Sequence, residues 1–234
     1  MSSPAPLTPA PAATSSSVEI AGGGRYALCL EGLPFVGGGV VVALLFGLLV
    51  HPAAAIPFVA FTLFAAWFFR NPTRTTPADE NAVISPADGV ICQVAEVDEK
   101  EHLGGKATRV SIFMSVFNVH VNRAPMSGRI ATTPYTPGRV RIASADKASL
   151  ENERNAIVLE TARGKLLFVQ VAGSVARRIL CYGKPGDSLR AGQRFGLIRF
   201  GSRVDVYFPA GSKAEVSVGQ KVVGGETVLG RFTR

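Results

Sequence analysis

From Leu33 to Phe69 the chain carries no charged side chain, and only His51 can acquire a charge. So long an apolar stretch cannot lie bare on a water-facing surface, because each Å² of exposed apolar area costs about 25 cal/mol. It must be buried in protein or in lipid. His51-Pro52 interrupts it and Pro57 follows shortly, leaving two halves of about 15–17 apolar residues each. A helix that crosses a bilayer needs about 20. The stretch 33–69 therefore predicts either a short helical hairpin dipping into or across a membrane, or an interfacial pair of helices lying on one. Ala53-Ala54-Ala55 after Leu44–Val50 has the look of a signal-peptide cleavage site. The leader would be unusually long, however, and the remaining chain would begin on the bare apolar run Ile56–Phe69. Arg25 precedes the stretch, and Arg70 and Arg74 follow it. The positive-inside rule puts both flanks, and with them the rest of the chain, on the cytoplasmic side of a cell membrane.

Residues 1–17 are almost all Pro, Ala, Ser and Thr, so residues 1–32 read as a disordered, mostly polar tail. From Asn81 onward the texture changes to short β-type runs punctuated by Gly, Pro, Asn and Asp. Val110, Ile112 and Met114 alternate with Arg109, Ser111 and Phe113; Ala156–Glu160 and Leu166–Val171 flank a turn-like Ala162-Arg163-Gly164-Lys165. Val175–Cys181, Val204–Phe208, Glu215–Val218 and Thr227–Phe232 complete the set. No long amphipathic helix is visible there. Residues 70–234 thus predict a mainly β (β-rich α+β) domain, a compact barrel or sandwich. The closing segment from Val216 to Gly230 also resembles the hairpins of lipoyl-type carrier domains, although no lysine sits at a hairpin tip.

Twenty-five basic against 17 acidic residues give a formal charge of +8. That balance suits an anionic membrane or a nucleic acid. No helix-turn-helix, zinc or RNP-type pattern supports nucleic acid, and the apolar runs favour a membrane. Cys29, Cys92 and Cys181 are odd in number and lack metal or redox spacing, so they read as small buried hydrophobes, and no metal site is expected.

Three Gly-Ser pairs occur: Gly173-Ser174, Gly201-Ser202 and Gly211-Ser212. The third follows Pro209-Ala210 and is a turn. The other two abut apolar runs. The stretch Gly196–Pro209 reads as one strand with Gly201-Ser202 in its middle, where glycine marks a bulge, a bend or a close approach. A serine after such a glycine is able to attack the glycine's own carbonyl, since no Cβ shields it and the backbone tolerates strain. On the residues alone, Ser174 and Ser202 rank equally. His120 is the histidine best placed for proton transfer; His51 marks the apolar break and His102 lies in a charged loop. Asp88 occupies a turn that opens a strand. Together they supply orienter, base and nucleophile.

Three blocks resemble the phosphatidylserine decarboxylase proenzyme family, in particular its short bacterial form. They are Ser85-Pro-Ala-Asp88-Gly-Val-Ile91, the run from Ser115 through His120 and Pro125 to Gly128, and Phe195-Gly-Leu-Ile-Arg-Phe200-Gly201-Ser202. The segments Asn152–Asn155 and Val171–Val175 fit as well, so the likeness covers roughly residues 66–234 in order. The family's self-cleaving Leu-Gly-Ser-Thr falls on Phe200-Gly201-Ser202-Arg203, which selects Ser202; Phe200 and Arg203 depart from it. The resemblance implies that Asp88 orients a histidine and that Ser202 attacks the Gly201 carbonyl. Elimination and hydrolysis would then leave a pyruvoyl cofactor on residue 202, with a β chain 1–201 and an α chain 202–234 held together non-covalently. The ketone would form a Schiff base with the amine of phosphatidylserine and act as the electron sink for loss of CO₂, giving phosphatidylethanolamine. Longer members carry His-x-x-His before the proline. Here His120 takes the first place and Arg123 the second, so either His120 serves both steps or Arg123 shares one. Arg139, Arg141, Arg177, Arg178 and Arg199 are candidates to hold the domain against an anionic membrane. Two other readings remain: a membrane-tethered serine hydrolase using Asp88, His120 and Ser174 or Ser202, and a non-enzymatic β module.

Overall fold

The computed structural model describes residues 27–138, 152–173, 178–199 and 201–233. The apolar stretch forms two helices, α1 (Leu33–Leu49) and α2 (Ile56–Phe68), joined by a 3₁₀ turn over Pro52–Ala55. The break falls where His51 and Pro52 predicted it. His51 is extended, and its Nδ1 accepts a hydrogen bond from Ala53 N–H at 3.2 Å, capping the turn. The helices run antiparallel: Phe46 packs on Phe58 with ring centroids 4.7 Å apart, and Gly39 lies against Thr62 and Phe61. A side chain at Gly39 would collide with Thr62 Oγ1, so this glycine sets the close approach. Beyond that contact the pair is bare: Leu48, Leu49, Ile56 and Leu63 are between 65% and 81% exposed. Only the 20-residue segment Leu30–Leu49 is long and apolar enough to cross a membrane by itself, among the described residues.

The hairpin closes at its root. Cys29 N–H donates to Phe69 C=O at 2.8 Å, Asn71 N–H donates to Ala27 C=O at 2.6 Å, and Leu28 bridges Arg70. Both ends of the apolar stretch therefore meet the β body at one place. Side chains fasten them there. Arg194 donates to Glu31 Oε2 at 2.8 Å, Tyr182 bonds the same carboxylate, and Arg123 donates to Asn71 Oδ1 and Pro72 C=O at 2.8 and 2.9 Å.

The body is built of antiparallel strands. A nine-stranded sheet runs in the order β10 (Ser188–Leu189), β5 (Gly128–Thr132), β7 (Arg154–Thr161), β8 (Gly164–Ala172), β12 (Ser202–Pro209), β3 (Gly105–Met114), β2 (Gly89–Glu99) and β14 (Lys221–Val222). β6 (Tyr135–Thr136) pairs with β7 off this path. Two three-stranded sheets lie against it: β1 (Ala82–Ile84), β15 (Val228–Phe232) and β13 (Ser212–Ala214), and β4 (Val121–Arg123), β11 (Arg194–Ile198) and β9 (Ile179–Cys181). The sheets do not close, so of the two expected architectures the sandwich holds and the barrel does not. The main core joins Val204, Val206 and Phe208 of β12 to Phe195 and Ile198 of β11 and to Leu229 and Phe232 of β15. The opposite face of the large sheet is also buried, through Val158, Leu167, Val169 and Val171. Burial on both faces explains why β7 and β8 read as nearly continuous apolar runs.

Three expectations fail. The stretch Gly196–Pro209 is not one strand but two, in different sheets, separated at 199–201. Glu215–Val218 forms no strand; β13 lies just before it. β14 pairs with β2 while β15 pairs with β1 and β13, so the closing segment is not a carrier-type hairpin folded on itself. The expected strand Val175–Cys181 is seen as β9, and Ser174–Arg177 lie outside the described residues, as do Arg139 and Arg141.

On the outward face of β12, Arg203 and Asp205 form an ion pair at 2.6 and 3.0 Å, both side chains essentially fully buried. Removing one partner of such a pair leaves a desolvated charge, at a cost of about 3–5 kcal/mol. Asp205→Ala should therefore lower the denaturant midpoint by that amount of stability, whereas Arg203→Met with Asp205→Leu should recover most of it; urea unfolding of the two variants checks this.

Candidate active site

The site forms where β11 hands the chain to β12. The pairing Val121↔Leu197 between β4 and β11 carries His120, just before β4, to the end of β11, and Ile198 N–H donates to His120 C=O at 3.3 Å. Residues 81 positions apart thus meet: His120 Nε2 accepts from Gly201 N–H at 3.3 Å. Gly201 has φ +65°, a left-handed conformation that costs glycine little. Nothing lies within 4 Å of where its side chain would be. Ser202 follows at the first position of β12, opposite Met114 of β3 and Ala172 of β8. It is fully buried, and its hydroxyl donates to Met114 Sδ at 3.3 Å. By strand alternation it shares the core face with Val204, Val206 and Phe208.

The histidine is set by the loop in front of it. Asn118 Oδ1 accepts from both Ser115 N–H and Ser115 Oγ at 2.8 Å, and Asn118 N–H donates to Ser115 C=O at 3.0 Å, closing a four-residue turn. The Asn118 carbonyl then sits 3.0 Å from His120 Nδ1. Nδ1 is accordingly the protonated nitrogen, and Nε2 presents a lone pair to Gly201. Phe68, the last residue of α2, stacks on the imidazole with centroids 4.3 Å apart and planes at 31°. Burial pushes the His120 pKa down to about 4; the Asn118 carbonyl opposes the shift and the Arg70 charge adds to it. The ring is therefore neutral across the physiological range.

Asp88 lies apart from this pair. Its Oδ2 accepts from Arg74 at 2.8 Å and its Oδ1 from Gly224 N–H at 2.8 Å. Both ring nitrogens of His120 are engaged elsewhere, so the expected Asp88–His120 hydrogen bond is not formed and a carbonyl orients the ring instead. Arg123, at the second histidine position, spends its guanidinium on the carbonyls of Gly192 and Pro72 and on Asn71. It staples the hairpin root to the body. Ser174 lies outside the described residues. The cysteines are free, and burial raises all three thiols, Cys29 to about 11. No cluster with metal-binding character occurs among the described residues.

Sequence reasoning missed the polar wall behind Ser202. Asn155 Nδ2 donates to Gln170 Oε1 at 3.1 Å, Gln170 Nε2 donates to Asn122 Oδ1 at 2.8 Å, and Asn122 Nδ2 approaches Met114 Sδ at 3.8 Å. All three amides are buried on the inner face. Buried amides are kept only when satisfied. The signal available in the sequence was polar residues at core-facing strand positions, such as Gln170 amid Leu166, Phe168 and Ala172. Phe68 gave no signal, because it sits in an apolar run where any residue looks like lipid contact.

A family model described as phosphatidylserine decarboxylase matches residues 61–230. A phosphatidylserine decarboxylase proenzyme of Geotalea uraniireducens is 52% identical over 204 residues, covering 87% of this chain and 95% of the relative. The proenzyme of Geobacter metallireducens is 52% identical over 209 residues with the same coverage. That of Beijerinckia indica is 50% identical over 202 residues, covering 85% and 87%. The chain belongs to the phosphatidylserine decarboxylase family.

Proposed function

We propose that the chain is a proenzyme that cuts itself between Gly201 and Ser202 and, with the pyruvoyl group so formed, converts phosphatidylserine to phosphatidylethanolamine and CO₂. The observation that carries this reading is the contact of a neutral, buried His120 Nε2 with the backbone of Gly201, itself in a left-handed conformation beside a buried serine. For cleavage, Ser202 Oγ turns from Met114 and passes its proton to Nε2, which releases the Gly201 N–H. Both contacts given up are weak, about 1 kcal/mol or less apiece. Oγ bonds to the Gly201 carbonyl carbon, and the bond from that carbon to Ser202 N breaks, the nitrogen taking a proton. Loss of the Ser202 Cα proton then expels the Gly201 carboxylate and leaves dehydroalanine. Water hydrolyses its imine tautomer to the ketone and ammonia.

The fit to a pyruvoyl group rests on place. Residue 202 sits at the sheet's inner face between Met114 and Ala172, next to open space at Gly201. That ketone supplies the electron sink for decarboxylation. The two chains would stay together because β12 pairs on both edges with strands of the other chain, and β14 and β15 pair with β2 and β1. The hairpin, closed at its root beside Arg70 and Arg74, suits insertion into an anionic membrane from the cytoplasmic side. In this reading Asp88 supports the site through Arg74 and the Gly224 loop rather than through the histidine.

On a denaturing gel with mass spectrometry, the purified chain should show a fragment of residues 202–234, that is 33 residues, with a blocked pyruvoyl N-terminus. Ser202→Ala should remain whole. An intact chain in an active preparation would overturn the proposal, and a 61-residue fragment would move the cut to Ser174. His120→Ala should slow cleavage by about 100-fold or more, the usual scale of a lost general base.

The pH dependence has a definite sign. A base must be unprotonated to work, and its pKa is lowered, so acid inhibits only at low pH. The rate of self-cleavage in freshly made protein should stay level from neutrality through the ordinary histidine range and fall as the pH drops through about 4. A midpoint at the unshifted value of 6.5 would contradict the burial of His120.

A further inference from the structure

Around the hairpin root, positive charge exceeds negative. Arg70, Arg74 and Arg123 lie around Asp88 closely enough to act on one another: burial lowers the pKa of Arg70 and Arg123, the Arg74 charge adds to the shift, and Asp88 opposes it. Asp88 is paired with Arg74 at 2.8 Å, and Glu226 is 3.9 Å from the same guanidinium. Arg123 is committed to carbonyl oxygens. Among the described residues Arg70 has no carboxylate of its own.

Arg70 is also held in an unusual way. Its guanidinium lies over the Trp67 ring, 3.9 Å from the centroid, and donates to Trp67 C=O at 2.7 Å and Phe117 C=O at 3.1 Å. Among the described residues two of its five N–H groups find acceptors, which leaves others of the fork for a ligand. Trp67 is 41% exposed, and Phe117, 6.1 Å from it, is 66% exposed. Phe117 is a large exposed apolar side chain of the body, beside the root of a hairpin whose own surface is apolar. An aromatic pair carrying an arginine, at the boundary between an apolar hairpin and a polar body, is the pattern of the membrane–water interface. Arg199 repeats it at the other root, over Phe35 of α1 at 5.5 Å. Both arginines flank the catalytic pair: Arg199 is two residues before Gly201, and the Arg70 charge acts on His120.

We propose that Arg70, seated on Trp67 and Phe117, binds the phosphodiester of a membrane phospholipid headgroup and so fixes residue 202 at the headgroup level. This rests on the reading of the chain as a lipid-modifying enzyme. The ligand class is a glycerophospholipid in the bilayer, its phosphate taken by the arginine fork.

Trp67 is the chain's single tryptophan, so its fluorescence reads this site directly. The protein in detergent is titrated with dihexanoylphosphatidylglycerol, with dihexanoylglycerol, which lacks the phosphate, and with inorganic phosphate. The phospholipid should change Trp67 emission saturably, and the other two should not. Arg70→Gln should weaken the phospholipid response by about tenfold or more, the scale of a charge-assisted hydrogen bond. Should that variant fail to fold, Arg70→Lys, which keeps the charge but loses the fork, is read instead; a loss confined to the phospholipid supports the site, and wild-type affinity overturns it. An equal response to dihexanoylglycerol or to inorganic phosphate also overturns it. Decarboxylation is followed on the same preparations. Activity with Arg70-independent binding defeats the phosphate site alone, and Arg70-dependent binding without decarboxylation defeats the enzymatic reading alone.

Discussion

Strand β12 is hydrogen-bonded along both edges, to β3 and to β8, and everything at the site depends on how the chain gets there. The strand before it, β11, belongs to another sheet and ends at Ile198, four residues before Ser202 opens β12. A passage that short between packed layers needs a residue free to take positive φ, and Gly201 takes it. The same glycine exposes an unshielded carbonyl next to a serine whose position is locked by two ladders. The sheet supplies precision and the crossing supplies access. Neither would be present if 196–209 were the single strand that its hydropathy suggests.

The second dependence is between the hairpin and the histidine. Phe68, Phe69 and Cys29 from the hairpin root share one small core with Val119 and Val121, which bracket His120, and with Leu197 of β11. Phe68 lies tilted over the imidazole, Phe69 meets Phe68 edge-on at 5.0 Å, and Phe35 stacks on Phe69 at 5.3 Å. The aromatic chain runs from the first turn of α1 to His120. It keeps the ring dry, hence neutral, and it ties its orientation to the seating of the hairpin. An apolar hairpin of this kind is more than an anchor, since its last turn is one wall of the site.

Much of this was legible in the sequence where a local rule acts. Two helices broken at His51-Pro52 follow from uncharged runs and proline, β3 follows from alternation, and β7, β8 and β15 follow from apolar runs between turn residues. The choice of Ser202 over Ser174 rests on the family resemblance, because any Gly-Ser pair beside an apolar run has the same local physics. What sequence could not give was set by register between distant strands. The pairing of Val121 with Leu197 brings His120 to Gly201, and the position of Gly224 draws Asp88 away from His120. The strand expected at 215–218 failed for a similar reason. Its alternation is real, but the ladder of β13 with β15 ends at Ala214, after which Glu215 N–H still donates to Leu229 C=O at 2.8 Å.

The orientation of His120 by a carbonyl instead of a carboxylate fits the proposed chemistry better than it first suggests. A carboxylate partner stabilises the imidazolium and so speeds repeated proton transfer. The Asn118 carbonyl fixes the tautomer just as well but stabilises the charged ring far less, and burial against Phe68 works against charge altogether. The result is a correctly aimed but weak base. For an enzyme that must turn over many substrates with that base, this would be a defect. The proposed self-cleavage would be needed once per chain, so alignment would matter more than rate, and a ring that is neutral at ordinary pH would be ready to take the Ser202 proton from the moment the sheet closes around it.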